Sequence, residues 1–410
     1  MHRHLGLIAL LALGAGAACG DAGQAPAGQE SAPPPVTHLL SEAQLVRALT
    51  HSPLAAPPPE ATNRWAEDEA AAAFGQRLFF EPRLSRDGTL SCASCHRPEL
   101  WFTDGLEVAR GLAEGERNTP TVVGVAHARW LFWDGRADSA WSQALGPLEN
   151  ELEMGSTRAS IARLLAEDDA LRAQYESVFG ELPTLDEAGI EQVFVRVGKA
   201  LGAYERRLQG EGAPFDRFLQ GVRQGEQALV DALSPSAQRG LALFVGEAGC
   251  RNCHVGPLFS DGEFHSVGIP PRGGGRPQDS GRWDGARRLL ASPFRADGAH
   301  SDAPQGERAR ALDVLVQSSE NWGQFKTPSL RNVARTAPYM HAGQFASLDE
   351  VVHYYSTLEG AVLPGHHGEL VLQPLELDED QQRDLVAFLE SLSDESLPER
   401  WLGPPAEAPR

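Results

Sequence analysis

Cys92-Ala93-Ser94-Cys95-His96 and Cys250-Arg251-Asn252-Cys253-His254 are two copies of Cys-x-x-Cys-His, and their reading decides the fold. In this signature two thiols add across the vinyl groups of a haem, and the histidine that follows presents a ring nitrogen to the iron. The chain is therefore expected to carry two covalently bound haem c groups, attached through Cys92, Cys95, Cys250 and Cys253 and ligated by His96 and His254. Cysteine usage agrees: of five cysteines, four lie in the motifs and the fifth, Cys19, lies in an N-terminal targeting segment. A zinc site made of two knuckles would bring the pairs closer in sequence and would not require histidine after each. A thioredoxin-like redox pair would be single and set in a βαβ pattern, which is absent.

Basic Arg3, an apolar run over 5–18 and the small residues Gly16-Ala17-Ala18 read as an export signal. Cys19 stands where a bacterial lipoprotein is cleaved and acylated, with Gly16 in place of the usual Leu; acylation at Cys19 and plain secretion with Cys19 removed both stay open. Either route delivers the mature chain outside the cytoplasm, where bacteria attach c-type haem, and points to a periplasmic protein. A lipid on Cys19 would be its link to a membrane, since no other apolar stretch is long enough to span one. The net charge of −20 and pI near 5.1 argue against nucleic acid or an anionic membrane as partners. They allow steering of a basic electron donor, and an ordinary acidic surface accounts for them equally well.

Outward from the motifs, the 410 residues divide into a signal (1–19), a flexible Gly/Ala/Pro/Gln-rich tether and lead-in (20–63), one haem domain (64–222), a second (223–395) and a tail (396–410). Apolar periodicity predicts helices over 66–81, 160–179, 186–208, 235–248, 348–358 and 379–392, with no sustained strand, so the fold class is all-α. Ser347 with Glu350 and Asp378 with Gln381 read as capping boxes, and Ser234-Pro235 sets proline at a first helical position. The second motif closes a helix at Gly249, and Gly, Pro and Arg mark 270–310 as a long insertion.

The stretches 74–85, 92–105, Arg117-Asn118-Thr119-Pro120, Phe132-Trp133-Asp134-Gly135-Arg136, Glu153-Met154-Gly155 and 326–341 resemble the bacterial di-haem cytochrome c peroxidase family. That family includes MauG-type enzymes, which oxidise a partner protein, and the resemblance spans 66–392. It implies two all-α cytochrome c-like haem domains with Trp133 between the haems. The haem at His96 would meet hydrogen peroxide, and the haem at His254 would relay electrons. Cleaving the O–O bond heterolytically needs a group that takes a proton from one oxygen and returns it to the other. The resemblance assigns that role to Glu153, assigns the amide that orients peroxide to Gln143, and assigns a calcium ion between the haems to Asn118 with the carbonyls of Thr336 and Pro338.

Relatives that need reductive activation often place a histidine on the loop after the first motif, yet residues 101–117 contain none. This departure implies an open sixth position on the first iron, with His127 the nearest other imidazole. For the second iron the family uses Met or Tyr on the helix after the Pro338-Tyr339-x-His341 segment. Counting seventeen residues from Pro338 reaches Tyr355, near the centre of an apolar face formed by Leu348, Val351, Val352 and Leu358, with Tyr354 at its edge. Met340 is the alternative ligand, while His265 and His341 match histidines that hydrogen-bond near the haems.

Three functions follow from the resemblance. The first is a periplasmic peroxidase reducing hydrogen peroxide to water with electrons from a small redox protein, a c-type cytochrome or a cupredoxin. The second is oxidation of Tyr or Trp side chains of a partner protein through a high-valent di-haem state. The third is a non-enzymatic di-haem electron carrier. Pairing with a second copy as a homodimer stays open.

Overall fold

The computed structural model describes residues 36–362 and 372–405; the export signal, Cys19 and residues 20–35 of the tether lie outside them. Among the described residues the fold is all-α, the one exception to helix and loop being a pair of two-residue strands. The helices of seven or more residues are α1 Glu42–Ala48, α2 Glu69–Phe79, α3 Ala140–Glu149, α4 Arg158–Glu167, α5 Asp169–Phe179 and α6 Glu187–Glu205. They continue with α7 Pro214–Gln224, α8 Pro235–Val245, α9 Arg282–Ala291, α10 Leu348–Thr357 and α11 Glu379–Glu390. Strands β1 Phe264–His265 and β2 Phe325–Lys326 pair antiparallel.

A small cluster of Trp130, Leu289, Ala296, Ala309 and Leu312 packs α9, and two large clusters of buried apolar side chains organise most of the other elements, with one Cys-x-x-Cys-His beside each. They are built alike. In the first, α2 crosses α6 so closely that a Cβ on Gly75 would lie 1.9 Å from the Ala200 carbonyl oxygen. In the second, a Cβ on Gly240 of α8 would lie 1.9 Å from the Asp384 oxygen of α11. Four residues beyond each glycine a phenylalanine meets an aromatic ring of the crossing helix, Phe79 on Tyr204 and Phe244 on Phe388, both at 5.0 Å between centroids. Each such pair contributes about 0.5–1.5 kcal/mol beyond its burial. The same phenylalanines stand 6.3 Å from His96 and 6.5 Å from His254. The residue pattern shows this duplication only faintly, because outside the haem motifs the two helices share little beyond Gly-x-x-Leu-Phe, Gly75 to Phe79 and Gly240 to Phe244.

The expected helices form, with informative differences. The single helix read over 160–179 is two, because Asp168 adopts an extended backbone and turns its carboxylate to the amides of Ala170 and Leu171 at 3.0 and 2.9 Å. Asp378 and Gln381 form the reciprocal cap. Ser347 caps Glu350, whereas the Glu350 carboxylate reaches the amide of Ala346 rather than that of Ser347. Helix α8 stops at Val245, and Gly249, in the left-handed region, opens the turn that carries the second motif. Helices α1, α3, α7 and α9 escaped the periodicity search, being short or interrupted by glycine and proline.

Two chain segments lie differently from a sequence division. Residues after 35 contribute α1, whose Ala48 is buried with the second cluster. Beyond 395, Leu397 and Trp401 are buried with the first cluster, and the Tyr204 hydroxyl donates to the Trp401 carbonyl at 2.6 Å. The 270–310 insertion is ordered: α9 lies within it, and Lys199 meets Asp302 at 2.6 Å. No helix among the described residues is long and apolar enough to cross a membrane.

Candidate active site

Both motifs start with a tight turn. The amide of His96 donates to Cys92 O at 2.8 Å, and that of His254 to Cys250 O at 3.0 Å, so the same i+4 to i bond closes each turn. Nδ1 of His96 then bonds Phe102 O at 3.0 Å, and Nδ1 of His254 bonds Phe259 O at 2.7 Å. Nδ1 is thereby the protonated nitrogen, and the Nε2 lone pair is left for a metal. Burial holds both imidazoles below the usual histidine range, which keeps them neutral as a ligand must be. All four motif cysteines are unbridged. The residues present thus fit two covalently held haems.

One cavity of about 1540 Å³ receives both motifs. Its size exceeds the roughly 300–1,000 Å³ usual for a single small-molecule site. Every residue named from the sequence for iron, peroxide or calcium lines it, except Cys92, which packs against the first cluster. Among the described residues only Cys253, Asp261 and His265 group as acidic, thiol or imidazole candidates for a metal ion, and Cys253 belongs to the haem motif.

Gln143 and Glu153 are brought together by a reversal of the chain. Gln143 lies in α3; past Glu149 the chain folds back, and Met154 N and Ser156 N donate to Pro147 O and Leu148 O, at 3.2 and 2.8 Å. The free carbonyls at the end of α3 thus fasten the turn that bears Glu153. Burial raises the Glu153 pKa above the ordinary carboxylate value; the nearby Arg136 charge and a 2.6 Å hydrogen bond from Asn150 Nδ2 oppose the rise. Facing this turn, the loop after the first motif offers Ala109, Gly111, Ala113 and Gly115 to the cavity, so no side chain long enough to ligate projects from these positions. His127 meets Gln209 at 3.2 Å.

Trp133 is tied to both halves of the chain. Its Nε1 donates to Asn118 O at 2.9 Å, and its own carbonyl accepts from Lys326 N at 2.9 Å. Asn118 N donates to His341 O at 2.9 Å, and Asn118 Nδ2 to Leu106 O at 2.8 Å, which leaves Oδ1 available as a hard ligand. The His341 ring stacks on Phe325 at 3.8 Å, and burial pushes its pKa down to about 4. His265 bonds Asp261 at 2.8 Å.

On α10, Leu348, Val351, Val352 and Tyr355 face the cavity, as the apolar face anticipated, whereas Leu358 ends the helix in the left-handed region. Tyr354, placed at the edge of that face by periodicity, is the more buried tyrosine, and its hydroxyl donates to Val267 O at 2.7 Å. That bond removes it from contention as a ligand. Burial, with the second motif's Cys250 and Cys253 nearby, raises the Tyr355 phenol. Met340 lines the cavity from a backbone at φ 72. Sequence reasoning missed Asn150, Arg136, Gly111 and Lys326; of these, only Arg136 and Lys326 sit in stretches that carry the resemblance.

An all-α protein with two Cys-x-x-Cys-His turns opening on one cavity is a di-haem c-type redox protein. The match is specific: residues 69–224 fit the model of the family described as "Di-haem cytochrome c peroxidase". The chain is 36% identical over 350 residues to the cytochrome-c peroxidase IdrP1 of Denitromonas iodatirespirans, covering 83% of this chain and 85% of that protein. It is 35% identical over 376 residues to the methylamine utilization protein MauG of Paracoccus denitrificans, covering 80% and 89%. Among solved structures, the diheme peroxidase BthA of Burkholderia thailandensis aligns at a TM-score of 0.64 with 25% identity, covering 83% of this chain and 91% of that one. The chain belongs to the di-haem cytochrome c peroxidase / MauG family, and it is an oxidoreductase of the peroxidase type.

Proposed function

We propose that the protein is a periplasmic peroxidase that reduces hydrogen peroxide to water with electrons from a small redox protein, a c-type cytochrome or a cupredoxin. The observation that carries this reading is that His96, Gln143 and a half-buried, braced Glu153 line one cavity, with alanine or glycine at positions 109, 111, 113 and 115 of the loop facing Glu153. Haem bound through Cys92 and Cys95 supplies the redox-active iron at which the O–O bond is cleaved. Glu153 Oε takes the proton from the nearer peroxide oxygen and delivers it to the departing one. Gln143 orients the two oxygens, and Asn150 and Arg136 keep the Glu153 carboxylate accessible to ionisation. The two apolar clusters serve as two haem modules, with Trp133 between them as the path for electrons from the His254 side. The export signal accounts for the periplasmic location, with a lipid on Cys19 as the anchor.

Tyr355 at the cavity wall favours a second reading, oxidation of Tyr or Trp side chains on a partner protein, because a phenolate at the second iron stabilises its oxidised form. Peroxide turnover with reduced cytochrome c, paired with an electron paramagnetic resonance spectrum of the oxidised holoprotein, separates the two. One high-spin and one low-spin signal with turnover support the peroxidase; the same spectrum without donor turnover supports protein oxidation; two low-spin signals and no peroxide reaction overturn both. Tyr355→Phe is expected to change the low-spin signal and leave the high-spin one intact. An untouched low-spin signal would pass the ligand role to Met340.

Calcium is proposed between the modules, held by Asn118 Oδ1 with the carbonyls of Thr336 and Pro338. Chelation should then slow turnover several-fold at constant haem content, and full turnover in metal-free buffer would remove the ion from the scheme.

A further inference from the structure

Lys326 is the unusual cation of the cavity. Six Lys or Arg residues line it, and among the described ion pairs Arg117, Arg136, Arg288 and Arg331 each have a carboxylate partner. Of the remaining two, Arg129 is exposed to solvent at the surface and stacks over Trp130. Lys326 is only partly exposed and has no carboxylate partner among the described residues. Its backbone is fixed on both sides, by pairing with Phe264 across the β1–β2 ladder and by donation of its amide to Trp133 O, and its side chain lines the cavity. Among the described residues no acidic group lies close enough to act on it, and burial pushes its pKa down to about 8. A desolvated ammonium without a counter-charge is costly, and such groups in folded proteins are paired.

We propose that Lys326 binds a carboxylate inside the cavity, and that a haem propionate supplies it. The placement fits: β2 is tied to the loop after the second motif by Ser260 Oγ, which donates to Thr327 O at 2.7 Å, and to Trp133 on the other side. Lys326 thus stands where the two modules meet, and its charge is the group that sets the electrostatic field on the bound propionate. The inference rests on haem occupancy of the cavity and not on which reaction the haems carry.

The test is spectroelectrochemical titration of the purified holoprotein and of Lys326→Met, with haem content measured from the reduced absorption spectrum of each. A positive charge beside a propionate favours the reduced haem, so its loss should move one of the two reduction waves to lower potential. The expected change is about tenfold in the reduction equilibrium, which for one electron is about 59 mV. The propionate bending band in the resonance Raman spectrum should shift with it, and Lys326→Arg should restore the wave. If Lys326→Met fails to assemble, Lys326→Gln makes the same charge change and retains a hydrogen-bond donor. Two unshifted waves and an unshifted band at full haem content would overturn the proposal. So would waves that move only when a free carboxylate such as acetate is added, since the anion would then be exogenous. Loss of haem from wild-type protein would instead count against the di-haem reading beneath it.

Discussion

Glu153→Gln is expected to lower the second-order rate of reaction with hydrogen peroxide by about 10²- to 10⁴-fold, the usual worth of a positioned acid–base group. The substitution keeps the side chain's length and its capacity to accept from Asn150 Nδ2, so the turn fastened to α3 should persist. What it removes is the ability to take a proton. The pH profile makes the loss diagnostic. Burial raises the Glu153 pKa, and the ionised form is the one that accepts the proton, so the rate should fall as pH drops through a value above the ordinary 4.5. Asn150→Ala withdraws an interaction that favours the carboxylate, which should move that acid limb to higher pH; Glu153→Gln should have no such limb. Stopped-flow mixing with peroxide across pH reads both, and a wild-type rate in Glu153→Gln would end the assignment.

Gly111→Ala should be the second severe change, although Gly111 touches neither peroxide nor iron ligand. A Cβ there would lie 2.6 Å from Glu153 Cα and 2.7 Å from the carbonyl oxygens of Glu153 and Leu152. These contacts are to backbone, so no rotamer relieves them. The two segments are also bonded to each other, Leu112 N to Glu153 O at 3.0 Å and Ala113 N to Leu152 O at 2.9 Å. The methyl must therefore push the Glu153 turn away from the cavity, and a displacement near 1 Å costs on the order of 10²-fold in rate. Gly111 is not among the positive-φ glycines, so alanine suits its backbone and the effect isolates the clash. Haem content and the low-spin spectrum should stay as in wild type while the peroxide rate falls; an unchanged rate would show that the turn yields without moving its carboxylate.

The neighbourhood of these two residues shows where sequence reading stops. Glu153 was identifiable because it sits in Glu153-Met154-Gly155 at a set distance from Trp133, whereas Gly111 lies in a glycine- and alanine-rich loop whose pattern carries no signal. Its importance comes from a backbone approach across more than forty residues of chain. Lys326 was visible as a letter in a recognisable stretch, but its want of a carboxylate partner depends on what β1, Trp133 and the cavity wall leave around it. Tyr354 and Tyr355 are adjacent on α10, and periodicity sets Tyr355 near the centre of the apolar face and Tyr354 at its edge. The hydrogen bond to Val267, contributed from a distant loop, separates them.

By itself the sequence determined the covalent chemistry and the fold class. Cys-x-x-Cys-His is a local motif whose five residues form one turn, and amphipathic helices are written within a dozen residues, so neither needs long-range information. Only the tertiary structure decided that both motifs open on one cavity, that a reversed turn and a glycine loop hold Glu153 at its wall, and that the two halves are built on the same glycine–phenylalanine crossing. Those features arise from contacts between segments far apart in the chain, set by close packing and by the need to pair every buried polar group, and no local pattern encodes them.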